Sequence, residues 1–142
     1  MSVIRPRPSL ADAKALLAAC NLPDGDLTAA HCEHFFYWGP ANAPTGLVGL
    51  ELFGDVALLR SLAVRADVRS SGMGTALVRH AESYGLSQGV RTLYLLTTTA
   101  EGYFPKFGFE RIQRSDVPSS VQSSVEFTSA CPASAVVMRK TL

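Results

Sequence analysis

The chain has 142 residues, of which 47% are apolar and 18% are charged, and 13 basic against 12 acidic side chains give a net charge of +1. A chain of this length and composition is expected to fold as a single domain, residues 1–142, around a sizeable core. The balanced charge argues against nucleic-acid and membrane-surface partners. No apolar run approaches the roughly 18 residues that span a bilayer, and the N-terminus lacks the apolar core of a signal peptide, so we expect a cytoplasmic protein.

The three cysteines, Cys20, Cys32 and Cys131, are widely spaced and form no C-x-x-C motif. An odd number of cysteines at such spacings argues against a disulfide framework. Buried, reduced thiols are the simpler interpretation, and we predict no resident metal. The alternative is a site for a soft metal or metalloid, since thiolates select soft ions.

The first half of the chain predicts one helix and then an antiparallel meander. Residues 3–6 suit an edge strand, Ser9 caps a helix at Leu10–Cys20, and Asp26–His31 could form a short second helix. Gly54-Asp55 is a two-residue turn of the kind that joins antiparallel strands. The meander strands are predicted at His34–Trp38, Leu47–Phe53 and Val56–Val64.

After the last meander strand the chain becomes rich in glycine, and a helical period of apolar residues begins at Thr75. Gly72 and Gly74 allow a ligand to approach the backbone closely. The first turn of such a helix presents unpaired N–H groups at its positive end, which favours a phosphate or pyrophosphate. The pattern has neither the Lys-Ser/Thr pair of a P-loop nor the dinucleotide fingerprint, and a plain tight turn is the alternative interpretation.

The second half predicts a βαβ crossover and a terminal hairpin. The helix should stop at Gly89, and a strand at Arg91–Thr97 should then lie parallel to the last meander strand. The remaining elements are a helix at Thr98–Phe107 that is interrupted at Pro105, a strand at Phe109–Gln113 and a last strand at Ala133–Leu142. Between these two strands, Ser115–Pro132 reads as a polar loop that could contain one helical turn around Val121 and Val125. The predicted fold class is therefore α+β: a mixed sheet with an antiparallel meander, one βαβ crossover and a terminal hairpin, flanked by helices. Ligands commonly bind where such strand directions meet.

Four segments, taken in order, resemble the GCN5-related N-acetyltransferases (GNAT): Leu62-Ala63-Val64, Arg69-x-x-Gly72-x-Gly74, Tyr94-Leu95-Leu96-Thr97 and Phe104-x-Lys106-x-Gly108-Phe109. The resemblance implies acetyl-CoA as cosubstrate. Its pyrophosphate would lie on the helix that follows Arg69, and its pantetheine arm would pair with a backbone bulge at residues 62–64. The cofactor-binding residues implied are Leu62, Ala63, Val64, Arg69, Ser70, Ser71, Gly72, Met73, Gly74, Thr75, Thr98, Phe104 and Lys106.

Within that family, three further segments are similar to the arsenic-resistance N-acetyltransferases: Leu59–Val64, Leu93–Ala100 and Glu126-Phe127-x-x-x-Cys131-Pro132-x-Ser134-Ala135-x-x-Met138. This similarity implies a small-molecule acceptor whose amine belongs to an amino-acid-like compound, such as an arsenic- or phosphorus-containing glutamate analogue. A homodimer is compatible with such a protein. The alternative functions are a catalytically weak acyl-CoA-binding sensor and a thiol-based metalloid-binding protein.

Acetyl transfer needs a deprotonated amine, a polarised thioester carbonyl and a proton for the leaving thiolate. Backbone N–H groups at the implied bulge, beginning with Leu62, could polarise the carbonyl. Many GNAT enzymes place an acidic tyrosine four residues before the glycine of the Gly-Phe pair, but that position is Phe104 here and the nearby phenol is Tyr103. The general acid is therefore open between Tyr103, water and a thiolate that leaves unprotonated.

Glu51 and Arg60 are predicted on neighbouring strands of the meander, and counting outward from the Gly54-Asp55 turn makes them diagonal neighbours. A structural ion pair and an acceptor site both fit this arrangement. In the second interpretation, Arg60 clamps a substrate carboxylate, while Glu51 acts catalytically by orienting the substrate or its amine through water. Ser61 and Glu126 are the other predicted substrate-binding residues.

The imidazoles of the chain are His31, His34 and His80. His80 follows the glycine turn on the predicted helix and is expected to face solvent. His34 could line the acceptor cleft, although a packed histidine is the simpler interpretation.

Overall fold

The computed structural model describes residues 4–22, 24–25, 27–40, 42–68, 72–97, 102–122 and 135–142. The strands are β1 (Ile4–Pro6), β2 (Phe35–Trp38), β3 (Gly46–Phe53), β4 (Val56–Val64), β5 (Thr92–Thr97), β6 (Glu110–Ile112) and β7 (Val136–Thr141). The α-helices are α1 (Leu10–Ala19), α2 (Met73–Ser87) and α3 (Ser119–Gln122). Short 3₁₀ turns lie at His31–His34, Ala66–Val68, Phe104–Phe107 and Arg114–Asp116.

All seven strands described belong to one sheet, in the order β1-β2-β3-β4-β5-β7-β6. Strands β1 to β4 form an antiparallel meander, and α2 then crosses over so that β5 runs parallel to β4. Strand β7 pairs antiparallel with β5 on one side and with β6 on the other. This mixed sheet with flanking helices confirms the predicted α+β class.

Local sequence signals explain where the two long helices begin. The Ser9 hydroxyl accepts a hydrogen bond from the backbone N–H of Asp12 at 3.1 Å, which satisfies one of the unpaired donors of α1. Helix α2 begins at Met73, two residues before the predicted start, directly after Gly72. Gly72 has a φ of 84°, a left-handed conformation that glycine adopts at little cost. The turn before α2 therefore depends on this glycine.

The hydrophobic core lies on both faces of the sheet. Alternate residues of β3, such as Val48 and Leu50, face α2 and pack in one large cluster with Leu77 and Ala81. The opposite face carries two further clusters, which are defined here because the site lies on that face. The α1 cluster contains Leu16, Leu17, Cys32, Phe35, Leu47 and Ala63, and the α3 cluster contains Leu58, Tyr94, Leu96, Val117, Val121 and Val137.

Two predicted helices are wrong in the part of the chain that the structure describes. In place of the helix at Asp26–His31, a 3₁₀ turn covers His31–His34 and leads directly into β2. In place of the helix at Thr98–Phe107, the described residues form a 3₁₀ turn at Phe104–Phe107 with Pro105 in its first turn. Proline lacks the N–H that a longer helix would require in its interior, which explains the shorter element.

Among the described residues, no helix has the length and apolar character needed to cross a membrane.

Candidate active site

The parallel strands β4 and β5 separate along their length. They pair at Val56–Thr92, Ala57–Leu93 and Leu58–Tyr94. Both strands continue beyond these pairs, to Val64 and Thr97, with no further pairing between them among the described residues. A wedge therefore opens between the two strands toward their carboxyl ends, where sheets of this kind commonly bind ligands.

A β-bulge lies in β4 at the open part of the wedge. Gly49 pairs with Arg60 and Leu47 pairs with Ala63, so Ser61 and Leu62 together oppose a single residue of β3. Ser61 has a φ of 58°, which is uncommon for a residue other than glycine. The extra residue reverses the side-chain alternation, so Ala63 packs in the α1 cluster while Leu62 packs toward α2. The bulge overlaps the predicted segment 62–64 at its first residue.

The N-terminus of α2 gathers several of the predicted cofactor residues. The first N–H groups of a helix have no partner within it and can face a ligand. The Tyr103 hydroxyl is hydrogen-bonded to Thr75 in this first turn, and it fills the space next to Gly74. Burial raises the pKa of Tyr103. The Lys106 ammonium lies 4.0 Å from the centre of the Tyr103 ring, so a cation stands beside this phenol.

Phe104, also predicted at the cofactor site, is buried in the core, with its ring centre 5.7 Å from that of Phe109. Its role in cofactor binding stays a prediction. Five further predicted site residues lie outside the described residues: Arg69, Ser70, Ser71, Thr98 and Glu126. Their roles stay predictions.

Glu51 and Arg60 form an ion pair on the sheet face opposite α2. Arg60 Nη1 lies 2.8 Å from Glu51 Oε2, and the exposed fractions of the two side chains are 1% and 15%. Arg60 Nε also donates to Ser61 Oγ at 3.1 Å. The Arg60 guanidinium lies over the Phe35 ring, 5.9 Å from its centre. The contact that the sequence predicted between the two strands is confirmed, and the arginine proves to be almost completely buried.

His31, for which the sequence indicated no role, is the third member of this cluster. Its Nε2 lies 3.5 Å from Glu51 Oε1. Its Nδ1 accepts a hydrogen bond from the backbone N–H of Thr28 at 3.0 Å. The register of β2 and β3 accounts for this placement, since Phe35 pairs with Gly49. Extending that antiparallel register brings the residues just before β2 alongside Glu51.

The two other histidines pack against α2 or lie on it. His34 Nδ1 lies 2.7 Å from the Tyr84 hydroxyl, consistent with the packed histidine that was the simpler expectation. The expectation of an exposed His80 is wrong, because its ring packs edge-on against Phe36 at 4.5 Å between centres. Burial lowers the pKa of His80.

Cys32 is buried in the α1 cluster, and burial raises the pKa of its thiol, with a smaller contribution from the nearby Glu33 charge. The Cys20 thiol lies 3.7 Å from the carbonyl oxygen of Val64. Cys131 lies outside the described residues. The described part of the chain contains no group of three or more His, Cys, Asp or Glu side chains placed to hold a metal ion.

The sequence matches the model of the acetyltransferase (GNAT) family over residues 7–109. An uncharacterized N-acetyltransferase of Chlorobaculum tepidum is 33% identical over 66 residues, which cover 46% of this chain and 42% of that protein. The amino-acid acetyltransferase of Ectopseudomonas mendocina is 38% identical over 68 residues, 48% of this chain and 14% of that protein. The matches therefore span less than half the length of these curated relatives.

A similar solved structure is that of the N-acetylglutamate synthase from Neisseria gonorrhoeae, complexed with coenzyme A and N-acetyl-glutamate. It matches with a TM-score of 0.82 and 18% sequence identity, over 100% of this chain and 35% of that chain. At this identity, the likeness concerns the fold.

Proposed function

Because the chain belongs to the acetyltransferase (GNAT) family, we propose that it is an N-acetyltransferase that transfers the acetyl group of acetyl-CoA to the amine of a small acceptor. The observation that carries this proposal is the wedge between β4 and β5, with the N-terminus of α2 following β4 in the chain. Such a site can bind an extended, amide-containing arm along the strand and a phosphate group at the N-terminus of the helix.

The backbone around the bulge is suited to the pantetheine arm. Among the described residues, β4 does not pair with β5 beyond Leu58, and we propose that the amides of an extended ligand pair with the β4 backbone there. The first N–H groups of α2 would hold the pyrophosphate, and Gly72 and Gly74 would allow the close approach. Acetyl-CoA supplies the activated thioester. Backbone N–H groups at Leu62 would polarise its carbonyl, as predicted from the sequence.

The position of Tyr103 bears on the source of the proton for the leaving thiolate. Its hydroxyl contacts Thr75 in the first turn of α2, where the phosphates are proposed to bind. A general acid must lie within hydrogen-bond reach of the atom it protonates. Since the thioester is proposed to lie at the bulge in β4, this placement favours water over Tyr103 as the proton donor.

For the acceptor, we propose an amino-acid-like compound, and in particular an arsenic- or phosphorus-containing glutamate analogue. Two observations support this choice. The segments Leu93–Ala100 and Glu126–Met138 resemble those of arsenic-resistance N-acetyltransferases, and one curated relative is an amino-acid acetyltransferase. The Glu51–Arg60 pair would be the polar centre of the acceptor site.

The test is to mix the purified protein with acetyl-CoA and a panel of amines, and to follow the release of free CoA thiol. Turnover with glutamate-like acceptors, highest for the arsenic or phosphorus analogues, is the expected result. Turnover that is confined to a polyamine or a protein N-terminus would overturn the proposed acceptor class. Binding of acetyl-CoA without any turnover would instead identify an acyl-CoA sensor.

The cofactor site has a separate test by calorimetry. The substitution Gly72→Glu places a charged side chain at a position with a φ of 84°, where the phosphates are proposed to bind. We expect it to abolish the binding of CoA, because it adds both like charge and backbone strain. A matched control is Gly89→Glu, since Gly89 has a φ of 87° but follows the other end of α2. Equal CoA affinity in the two variants would contradict the proposed site.

A further inference from the structure

On the sheet face opposite α2, one polar cluster separates the two apolar clusters defined above. Along β4, Arg60 lies between Leu58 of the α3 cluster and Ala63 of the α1 cluster. Glu51 pairs directly with Leu58 from the neighbouring strand. A charged pair in apolar surroundings is costly to keep unless each charge is well compensated. The contacts that compensate each charge therefore indicate whether Glu51 or Arg60 is available to bind a ligand.

Arg60 is fully engaged by the protein. Its side chain is 1% exposed, it forms the 2.8 Å ion pair with Glu51, and it donates to the hydroxyl of Ser61. The Phe35 ring covers its guanidinium on one side. A substrate carboxylate would have to displace these partners to form the clamp that the sequence suggested. The geometry instead indicates that Arg60 holds the Glu51 side chain in place.

Glu51 is held differently at its two oxygens. Oε2 receives the close contact from Arg60, whereas the contact recorded for Oε1 in the described chain is the 3.5 Å approach of His31 Nε2. That distance is longer than the 2.7–3.2 Å typical of an N–H···O hydrogen bond, so the contact is weak, and Oε1, which has more than one lone pair, keeps capacity to accept another donor. The side chains of Glu51 and His31 are 15% and 20% exposed, so both are partly accessible to solvent.

The orientation of His31 is set by the backbone. The N–H of Thr28 can only donate, so His31 Nδ1 must be the acceptor of that hydrogen bond. In the neutral imidazole the remaining proton is then on Nε2, the nitrogen that faces Glu51. The ring thus presents an N–H to Oε1 and limits the directions in which this oxygen can turn.

We propose that His31 is a positioning residue that directs Glu51 Oε1 toward the acceptor, and that Glu51, rather than Arg60, recognises the acceptor by its ammonium group. This inference rests on the proposed function and specifies the acceptor side of the same site. An amine with a pKa near that of an α-amino group, about 8, arrives largely as a cation at neutral pH. A carboxylate oxygen with free accepting capacity is a suitable partner for it, and charge-assisted hydrogen bonds are stronger than neutral ones.

Steady-state kinetics of three variants tests the role of His31. We expect His31→Leu to raise the KM for the amine about tenfold, which corresponds to about 1.4 kcal/mol, with the KM for acetyl-CoA unchanged. His31→Gln, which can still donate an N–H to Glu51, should recover most of this loss. The matched control is His34→Leu on the same 3₁₀ turn, whose partner is Tyr84 on the other side of the sheet. It should leave the KM for the amine within about twofold of wild type.

Two acceptor analogues distinguish the ammonium from the carboxylate. An analogue that lacks the amine should not inhibit competitively, whereas the simple amine that lacks the α-carboxylate should still be acetylated. Inhibition by the deaminated analogue would overturn the assignment of recognition to Glu51. These ligand tests use the wild-type protein, so they do not depend on whether His31→Leu folds.

Calorimetry with acetyl-CoA separates this inference from the proposed function. A wild-type protein that binds no acetyl-CoA would overturn the function itself. A His31→Leu variant that binds acetyl-CoA normally and keeps the wild-type KM for the amine would overturn the inference and leave the function intact. Equal losses in His31→Leu and His31→Gln would also contradict a positioning role that acts through the Nε2 proton.

Discussion

The hydroxyl group of Tyr103 occupies the space in which a side chain at Gly74 would begin. The phenol is held in this place by the rings of Phe104 and Phe107, whose centres lie 5.3 and 5.2 Å from its own. The φ of Gly74 is not in the left-handed region, so its backbone conformation does not require glycine. Glycine is required here because the Tyr103 hydroxyl approaches the helix so closely. The contact fixes the 3₁₀ turn after β5 against the first turn of α2.

Gly74→Ala should therefore destabilise the protein although alanine is the better helix former. We expect a loss of about 1–3 kcal/mol in the free energy of unfolding, because the new methyl group displaces a packed ring. Tyr103→Phe removes the oxygen, so the double variant should recover most of the loss. Urea unfolding of both single variants and the double variant measures this coupling.

Gly85→Ala is the matched control on the same helix. An added Cβ at Gly85 would meet Leu50 and Val90 at 3.5 Å, an ordinary contact distance. This variant should be neutral or gain up to about 1 kcal/mol from helix propensity. If Gly74→Ala behaved in the same way, the proposed clash with Tyr103 would be refuted.

At Ser61, in the bulge of β4, we expect the stability of the protein to depend strongly on the type of side chain. Ser61 has a φ of 58°, a conformation in which a β-branched residue is an outlier. We expect Ser61→Val to cost about 1–3 kcal/mol in thermal or chemical unfolding. Ser61→Asn should be tolerated better, since asparagine enters this region readily. A valine variant as stable as the asparagine variant would show that the backbone can relax without strain.

The Phe35 ring lies directly over the Cα of Gly49, where any Cβ would overlap three ring atoms. Phe35 is fully buried and supports Arg60, so it has little freedom to move. Gly49→Ala should lower the free energy of unfolding by about 3 kcal/mol, and adding Phe35→Leu should restore part of it. Gly25→Ala is the control, because nothing lies within 4 Å of an added Cβ there. A Gly49→Ala protein as stable as that control would contradict the packing described.

The partly buried His80 ring predicts a loss of stability on mild acidification. Burial lowers the pKa of His80 below its ordinary value of 6.5, so the unfolded chain takes up a proton before the folded one does. The free energy of unfolding is therefore unaffected by this group above pH 6.5 and falls as the pH decreases from 6.5 toward the lower pKa of the folded state.

The measurement is denaturant unfolding of wild type and His80→Gln between about pH 5.5 and 7, above the range where most carboxyl groups titrate. The His80→Gln variant should show the shallower pH dependence. Parallel curves for the two proteins would mean that His80 does not contribute to the acid sensitivity.

The sequence predicts those features that depend on neighbours along the chain. The turn at Gly54-Asp55 sets the register of β3 and β4, and that register is what brings Glu51 beside Arg60. The start of α1 follows similarly from Ser9. These features need no knowledge of how distant segments pack.

The features that were not predicted depend on contacts between distant elements. The burial of His80 comes from Phe36 in β2, and the place of His31 comes from a 3₁₀ turn whose pairing with β3 no local pattern marks. The helix expected at Thr98–Phe107, interrupted at Pro105, is a short 3₁₀ turn at residues 104–107 in its described part. The near-complete burial of Arg60 is likewise a property of the assembled sheet.

The narrow connection between β4 and β5 has a consequence for the dynamics of the molecule. In the described chain, the ladder that links β1–β4 to β5–β7–β6 consists of three residue pairs, at Val56, Ala57 and Leu58. Amide hydrogen exchange should therefore resolve the two half-sheets as separate cooperative units, each with its own opening free energy. A ligand bound along β4 would provide hydrogen-bond partners for the part of β4 that does not pair with β5 in the described chain. We expect the exchange rates of the two half-sheets to become more similar when the ligand is added. The difference between the two rates would then report the fraction of the protein that has ligand bound.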